Sequence, residues 1–179
     1  GNVIEGEFKQ SKVYNGVGVV KLKDGAVYEG EISKGKWHGQ GKVTQPDGRT
    51  AEGEFRNSKL WNGAGLTVQG NDLYEGEVSE GKRHGQGQIF YANGSTWQGE
   101  FRDGVLWTGK GSLILKDGAV YEGEFKEGFR HGPGKIYYPD GRTLEGEFNQ
   151  STIWHGKGMV RLQSGDTYEG EFAAGQRHG

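Results

Sequence analysis

The segment Tyr28-Glu29-Gly30-Glu31-Ile32 indicates a repeat architecture, because versions of it recur along the whole chain. We call each copy a box, and a glutamate follows the central glycine of every box. Repeats of this length predict an array of small stacked units rather than one closed globule. The box glycines are Gly6, Gly30, Gly53, Gly76, Gly99, Gly123, Gly146 and Gly170.

The residues of each box alternate between two faces, as in a half-buried strand. Tyr28, Gly30 and Ile32 share one face, whereas Glu29 and Glu31 share the other. A Gly-x-Gly pair and a second apolar run follow each of the first seven boxes, and turn signals such as Asp47-Gly48 lie between the runs. The pattern predicts an all-β fold: an elongated single-layer antiparallel sheet of about eight consecutive β-hairpins. The repeats lie near 3–25, 26–48, 49–71, 72–94, 95–118, 119–141, 142–165 and 166–179, the last being incomplete.

Aromatic side chains next to box glycines predict how a single sheet makes its own core. Glycine in a strand costs about 1 kcal/mol, but it leaves a flat gap that a large ring can cover. Such rings bury roughly 150–250 Å² each, which offsets that cost. The residues predicted to have this structural role are Tyr28, Gly30, Tyr74, Gly76, Trp97, Gly99, Tyr121, Gly123, Tyr168 and Gly170.

A longer period of 46 or 47 residues lies over the first, because odd-numbered and even-numbered repeats differ in loop length. One loop column then mixes rings and guanidinium groups. Neighbours in this column are about 10 Å apart by strand count, whereas cation–π contacts need about 6 Å. We expect these side chains to fill the loop edge of the sheet; the alternative is an exposed aromatic and basic edge that binds a ligand. The column is Tyr14, Trp37, Trp61, Arg83, Trp107, Arg130, Trp154 and Arg177.

The motif Tyr-x-Gly-x-Phe, followed by Gly-x-x-His-Gly-x-Gly and Asp-Gly, resembles the MORN (membrane occupation and recognition nexus) repeat family. The resemblance covers essentially the whole chain, with departures at Ile4, Ala51 and Leu144 in the tyrosine column. It implies a twisted, groove-like sheet that acts as a non-catalytic scaffold for a partner protein. The family also implies association with the cytoskeleton or a membrane, or service as a regulatory or targeting region of a larger enzyme.

Composition and spacing argue against chemistry in this chain. It has 179 residues, a net charge of −2 and no cysteine, so disulfides and thiolate zinc sites are excluded. Paired carboxylates such as Glu29 and Glu31 have a spacing that overlaps that of some glycosidases, but they recur as a ladder rather than in one pocket. Four histidines, which we call the register histidines, occupy the same position in the even-numbered repeats: His38, His84, His131 and His178. Neighbouring ones are roughly 19 Å apart, too far to share an ion. We therefore expect no enzyme, no catalytic residue, no cofactor and no metal.

An apolar line on the glutamate side of the sheet predicts a docking surface. Flanking glutamates would favour a basic amphipathic helix; alternatively, another layer or a neighbouring chain covers the line. The candidate partner-binding residues are Val19, Phe90, Ile114, Tyr137, Met159, Glu77, Glu100 and Glu124. Open edge strands also allow a homodimer.

A basic edge predicts the alternative function, binding of phosphoinositide or another anionic lipid. Its candidate residues are Lys34, Lys36, Lys82, Arg83, Arg130 and Arg177. The near-neutral charge argues against nucleic acid as a partner. With no signal peptide at the start and no long apolar run, we expect a cytoplasmic protein, at the cytoskeleton or at the cytoplasmic face of a membrane.

Overall fold

The structure is a computed structural model that describes residues 4–9, 12–162 and 164–178. The outer bounds of the first and last predicted repeats, residues 3 and 179, lie outside the described residues, as does the side chain of Ile4. Sixteen strands form one open antiparallel sheet in which the strand order follows the sequence. The predicted all-β fold of eight consecutive hairpins is therefore confirmed.

The strands run in chain order with short connections. They are β1 Ile4–Lys9, β2 Lys12–Lys21, β3 Val27–Ser33, β4 Lys36–Thr44, β5 Thr50–Arg56, β6 Lys59–Gln69, β7 Asp72–Ser79, β8 Lys82–Phe90, β9 Thr96–Arg102, β10 Val105–Ile114, β11 Val120–Lys126, β12 Phe129–Tyr137, β13 Thr143–Asn149, β14 Thr152–Arg161, β15 Thr167–Ala173 and β16 Gln176–His178. The chain divides into two compact units, residues 1–87 (unit 1) and 88–179 (unit 2), and each is described by itself.

Two kinds of turn join the strands, and each follows from local sequence. Box strands end in two-residue turns with positive φ at both positions, as at Lys34 (52°) and Gly35 (72°), which matches the twist of antiparallel strands. Most return strands end in an Asp-Gly type of connection, in which the glycine takes a left-handed φ, 88° at Gly48. The shorter connection predicted near Gly70-Asn71 is confirmed, because Gln69 pairs with Asp72.

Most of the core lies on one side of the sheet in both units. In β3 the buried residues Tyr28 and Ile32 alternate with the exposed Glu29 and Glu31. We call the side that carries the tyrosines and phenylalanines of the boxes the ring face, and the opposite side, which carries the box glutamates, the glutamate face. The largest fully buried side chains of the ring face are Tyr28 and Tyr74 in unit 1 and Phe101, Leu106 and Tyr121 in unit 2, together with Ile89.

Glycines of neighbouring strands lie opposite one another on the ring face. In unit 1, one row crosses five strands through Gly18, Gly30, Gly41, Gly53 and Gly63. In unit 2, an equivalent row runs through Gly111, Gly123, Gly134, Gly146 and Gly156. These rows leave flat strips of backbone on which large side chains can lie.

Candidate functional site

In the even-numbered repeats, a tyrosine ring lies over a pair of glycines. A Cβ added at Gly41 would lie 2.6 Å from Cε2 of Tyr28, and one added at Gly134 would lie 2.5 Å from Cε2 of Tyr121. Ordinary van der Waals contacts of a Cβ are 3.4–4 Å. The ring therefore occupies the space that any larger side chain at the glycine would need.

The tyrosine hydroxyls close a bulge in the sheet. Opposite Glu31, strand β4 carries the additional residues His38 to Gln40, because the register shifts between Gly30 and Ile32. Tyr28 Oη donates a 2.7 Å hydrogen bond to the Glu31 carbonyl, which lies at this shift. On the other face, the Glu31 carboxylate accepts a 2.8 Å bond from the Gln40 backbone N–H.

The same arrangement recurs at the other tyrosines. Tyr74 Oη donates to the carbonyls of Glu77 (2.8 Å) and His84 (3.2 Å), and Tyr121 Oη donates to the Glu124 carbonyl (2.9 Å). The register histidines His84 and His178 thus contribute backbone carbonyls, and no group of three His, Asp or Glu in the described residues is placed to hold an ion. Burial raises the pKa of Tyr74 and of Tyr121 to about 12.

In the described residues of the odd-numbered repeats, no tyrosine covers the box glycine, and two glycines of facing strands pack against each other instead. At Gly53, an added Cβ would meet the backbone of the facing strand, with Gly63 Cα at 2.7 Å. Glycine is needed there because two backbones approach closely. In the fifth repeat, Gly99 faces Gly109, and the Trp97 ring covers Gly111 on the neighbouring strand, where an added Cβ would lie 2.7 Å from Trp97 Cδ1.

In even-numbered repeats, the loop column packs on the tyrosine of its own hairpin. Trp37 stacks on Tyr28 with ring centroids 4.6 Å apart, and Arg130 lies over Tyr121 at 5.5 Å. The distance of about 10 Å between successive loop-column residues did not predict these contacts, because each residue contacts a ring of its own hairpin rather than the next residue of the column. Arg83 lies over Tyr74 and Arg177 over Tyr168, at 5.8 and 5.7 Å.

The candidate lipid edge is therefore divided between two environments. Its arginines face tyrosine rings, and Arg130 also donates a 2.7 Å bond to the Ser151 carbonyl, while burial lowers its pKa. Lys34, Lys36 and Lys82 are exposed.

The candidate docking residues on the glutamate face do not form one continuous line. In unit 2, Ile114 lies opposite Val120, and Val120 lies opposite Tyr137; Ile114 and Tyr137 are each 40% exposed. Phe90 is exposed as well, and Val19 is half-buried.

The prediction that Met159 lines this exposed surface is wrong, because Met159 is only 3% exposed. Strand alternation fixes the face that a side chain takes, but not how far neighbouring side chains cover it. Leu66 occupies the same register position, opposite a glutamate, and is buried too.

The candidate partner-binding glutamates have roles inside the sheet. The Glu77 carboxylate accepts a 3.0 Å bond from the Gln86 backbone N–H, and Glu100 pairs with Arg102 at 2.8 Å. Glu124 lies beside Gly132, where an added Cβ would be 2.8 Å from Oε2.

A cleft of about 750 Å³ lies on the ring face of unit 2. Half-buried Leu115, Val160 and Leu162 line it together with buried core residues, and Arg130, Arg177 and Asp117 supply charge. Sequence reasoning missed this cleft. Its signal was the leucine or tyrosine that precedes most of the Asp-Gly type of turns, such as Leu115, Tyr138 and Leu162. The buried lining residues are Ile136, Leu144, Phe148, Ile153 and Phe172.

Three solved structures are distantly similar to the chain. They are a zebrafish (Danio rerio) CPAP TCP10 domain in complex with a STIL peptide (15% identity, 97% of this chain, 100% of that chain, TM-score 0.23), and two structures of Staphylococcus aureus virginiamycin B lyase (11% and 13% identity, each 96% of this chain and 60% of that chain, TM-score 0.18). With TM-scores this low, none supports an argument about this chain. None of the described residues belongs to a helix with the length and apolarity to cross a membrane.

A comparison with curated proteins gave no significant match. The family model for the MORN repeat matches residues 28–48, 74–96, 121–141 and 168–179. Each matched segment begins at one of the tyrosines that cover a glycine, Tyr28, Tyr74, Tyr121 or Tyr168. The repeats that lack this tyrosine are unmatched. These four matches show that the chain belongs to the MORN repeat family.

Proposed function

We propose that the chain is a non-catalytic scaffold module that binds a segment of a partner protein, and that its main site is the ring-face cleft of unit 2. The observation that carries this proposal is the cleft itself: about 750 Å³, walled by half-buried Leu115, Val160 and Leu162. Sites that bind a compact apolar group usually have volumes of about 300–1,000 Å³.

The charges around the cleft favour an amphipathic segment. Arg177 is exposed, and Asp117 is exposed as well. Apolar side chains of the partner would enter between these groups, and a partner carboxylate would fit beside the Arg177 guanidinium. A helix that lays its apolar stripe into the cleft meets both requirements.

The glutamate face offers a second surface for the same function. Ile114, Val120 and Tyr137 form an apolar row across three neighbouring strands, and the exposed Glu122 lies on the same face. A basic amphipathic helix would suit this surface. The side chains of Glu77, Glu100 and Glu124 make the contacts within the sheet described above. Their main role would then be to stabilise the sheet rather than to contact the partner.

Two matched double variants separate the two surfaces. Leu115→Ser with Leu162→Ser changes the cleft, and Ile114→Ser with Tyr137→Ser changes the glutamate face. A partner captured by the chain from cell extract, once identified and purified, is titrated against each variant after circular dichroism has confirmed that both are folded. We expect the cleft variant to weaken binding at least tenfold and the other to change it less than threefold.

A larger loss of affinity in the glutamate-face variant than in the cleft variant would place the binding site on the glutamate face. Unchanged affinity in both variants would refute the proposal. Raising the salt concentration tests the charge argument, because contacts between exposed charges weaken at high ionic strength.

Binding of anionic lipid is the alternative, and exposed Lys34 and Lys36 beside Trp37 favour it. Sedimentation with vesicles that contain phosphatidylinositol phosphate should then fall on Lys34→Glu with Lys36→Glu. No lipid-dependent pelleting of the unmodified chain would dismiss this alternative.

We further propose that the module works in the cytoplasm, at the cytoskeleton or a membrane face, as a homodimer or as the regulatory or targeting region of a larger enzyme.

A further inference from the structure

The odd-numbered repeats contain a recurrent arrangement of a glutamate, a cation and a ring on the glutamate face. In the third repeat, the Arg56 guanidinium lies 4.5 Å over the Trp61 ring and bonds the Glu54 carboxylate at 2.8 Å. In the fifth repeat, Arg102 lies 4.8 Å over Trp107 and bonds Glu100 at 2.8 Å. In the first repeat, Lys9 lies 3.6 Å over Tyr14.

The seventh repeat keeps the backbone of this arrangement. Glu147 pairs with His155 and Phe148 with Ile153, so Trp154 is the additional residue of a one-residue bulge. Glu54, Phe55 and Trp61 have the same register in the third repeat.

The two tryptophan rings are also held alike. A Cβ added at Gly175 would lie 3.3 Å from Trp154 Cε3 and 3.4 Å from Cζ3, and the same two atoms of Trp61 lie 3.2 Å from a Cβ added at Gly81. The backbone N–H of Gly175 donates to the Trp154 carbonyl at 2.8 Å, as that of Gly81 does to the Trp61 carbonyl. The ring and the carboxylate are therefore in place in both repeats.

The cation is missing from the seventh repeat, because Asn149 occupies the position of Arg56 and Arg102. Within the described part of the chain, no cation lies over the Trp154 ring, whose one aromatic contact is with His155 at 6.0 Å, and the Glu147 carboxylate has no hydrogen bond or ion pair. Trp154 is 42% exposed, whereas Trp61 and Trp107 are half-buried beneath their arginines.

We propose that Trp154 and Glu147 form a binding site for the guanidinium group of an arginine side chain from a partner protein. The incoming group would lie over the Trp154 ring and bond the Glu147 carboxylate, as Arg56 does within the chain. A planar guanidinium can stack and donate two parallel hydrogen bonds at once, whereas an ammonium group cannot. The inference deepens the proposed partner binding by naming one side chain of the partner, outside the ring-face cleft.

The test uses the full chain and a small probe, so that it needs no identified partner. N-acetyl-arginine amide is titrated at pH 7.5, and N-acetyl-citrulline amide serves as the neutral control of the same shape. The indole N–H signals of the five tryptophans are followed by NMR after assignment with single Trp→Phe variants. An exposed cation–π contact together with an exposed ion pair predicts binding about three- to thirtyfold tighter for arginine than for citrulline, at the Trp154 signal.

Two variants make the test specific. Asn149→Arg should fill the site with the chain's own arginine and remove the response of Trp154. Arg56→Asn should open an equivalent site and give Trp61 a new response. The inference is overturned if citrulline matches arginine, if all tryptophans respond alike in the unmodified chain, or if Asn149→Arg leaves the response intact.

Failure of this site can be told apart from failure of the cleft. The cleft variant Leu115→Ser with Leu162→Ser should bind the arginine probe as the unmodified chain does, because it changes residues of the ring face only. A normal probe response without any protein binding would count against the cleft proposal alone. Loss of the probe response at Trp154, with partner binding retained, would count against the arginine site alone.

Discussion

The contact between Tyr28 and Gly41 gives the sharpest test of how the sheet makes its core. Gly41 does not have a left-handed φ, so alanine at this position is compatible with the backbone. Its new Cβ would nevertheless lie 2.6 Å from Cε2 and 2.7 Å from Cζ of Tyr28. The ring would have to move about 1 Å to restore an ordinary van der Waals distance.

That displacement has three costs that can be estimated. Overpacking of a core costs about 2 kcal/mol, loss of the Tyr28 hydrogen bond to Glu31 about 1 kcal/mol, and loss of the stack on Trp37 about 1 kcal/mol. Replacing a strand glycine with alanine returns about 1 kcal/mol. Gly41→Ala should therefore lower the free energy of unfolding by about 3 kcal/mol.

The same substitution should have the opposite effect once the ring is gone. In a Tyr28→Ala background only the intrinsic gain of about 1 kcal/mol remains, so the two substitutions should be coupled by about 4 kcal/mol. Urea unfolding of the four proteins, followed by circular dichroism and by tryptophan fluorescence, measures this coupling. Gly48→Ala is the control: nothing lies within 4 Å of its added Cβ, and it should cost about 1–2 kcal/mol through its left-handed φ alone. An equal cost of Gly41→Ala in both backgrounds would show that the ring does not occupy this space.

Three further predictions concern buried polar groups. The hydroxyl of Ser95 is buried and has no hydrogen-bond partner among the described residues, and the equivalent residue of the next repeat, Ala119, has no hydroxyl. Ser95→Ala should therefore raise stability by about 1 kcal/mol in urea unfolding, and a loss of stability would show that the hydroxyl has a partner. Tyr74→Phe removes the bonds to two carbonyls and should cost about 1–2 kcal/mol, whereas a neutral result would mean that water satisfies them. Burial raises the pKa of Tyr28 and Tyr121 to about 12, above the unfolded value near 10. These groups should therefore leave stability unchanged below pH 10 and lower it between pH 10 and 12, by about 1–2 kcal/mol for each tyrosine. Stability that does not change between pH 10 and 12 would contradict the burial of these rings.

Sequence reasoning predicted the features that depend on alternation and turn chemistry. A period of two placed Tyr28 and Ile32 on one face and Glu29 and Glu31 on the other, and the structure has them so. The Asp-Gly signals marked the longer connections, because a left-handed residue is needed there. These features are local, and the residues that cause them are neighbours in the sequence.

Features that depend on register were not predictable in the same way. The additional residues His38 to Gln40 in the even-numbered repeats change which atoms lie under the tyrosine hydroxyl. The contact of Arg130 with Tyr121 crosses one hairpin and requires knowledge of that bulge. The exposure of Met159 depends on side chains of neighbouring strands, which alternation along one strand does not describe.

The alternation of odd-numbered and even-numbered repeats follows from the size of the tyrosine ring. Tyr28 covers a glycine on its own strand and another on the next strand, and its edge contacts Phe55 of the following repeat at 5.4 Å. A second large ring at Ala51 would compete for the space that Tyr28 and Phe55 already fill. The third repeat therefore packs Gly53 and Gly63 backbone against backbone, and its ring lies on the glutamate face, where Arg56 covers Trp61. The fifth repeat carries a large ring at the position of Ala51, Trp97, and this ring covers Gly111. The pair of hairpins is thus the physical unit of the array, and each pair presents a packed ring on one face and a ring ready for a cation on the other.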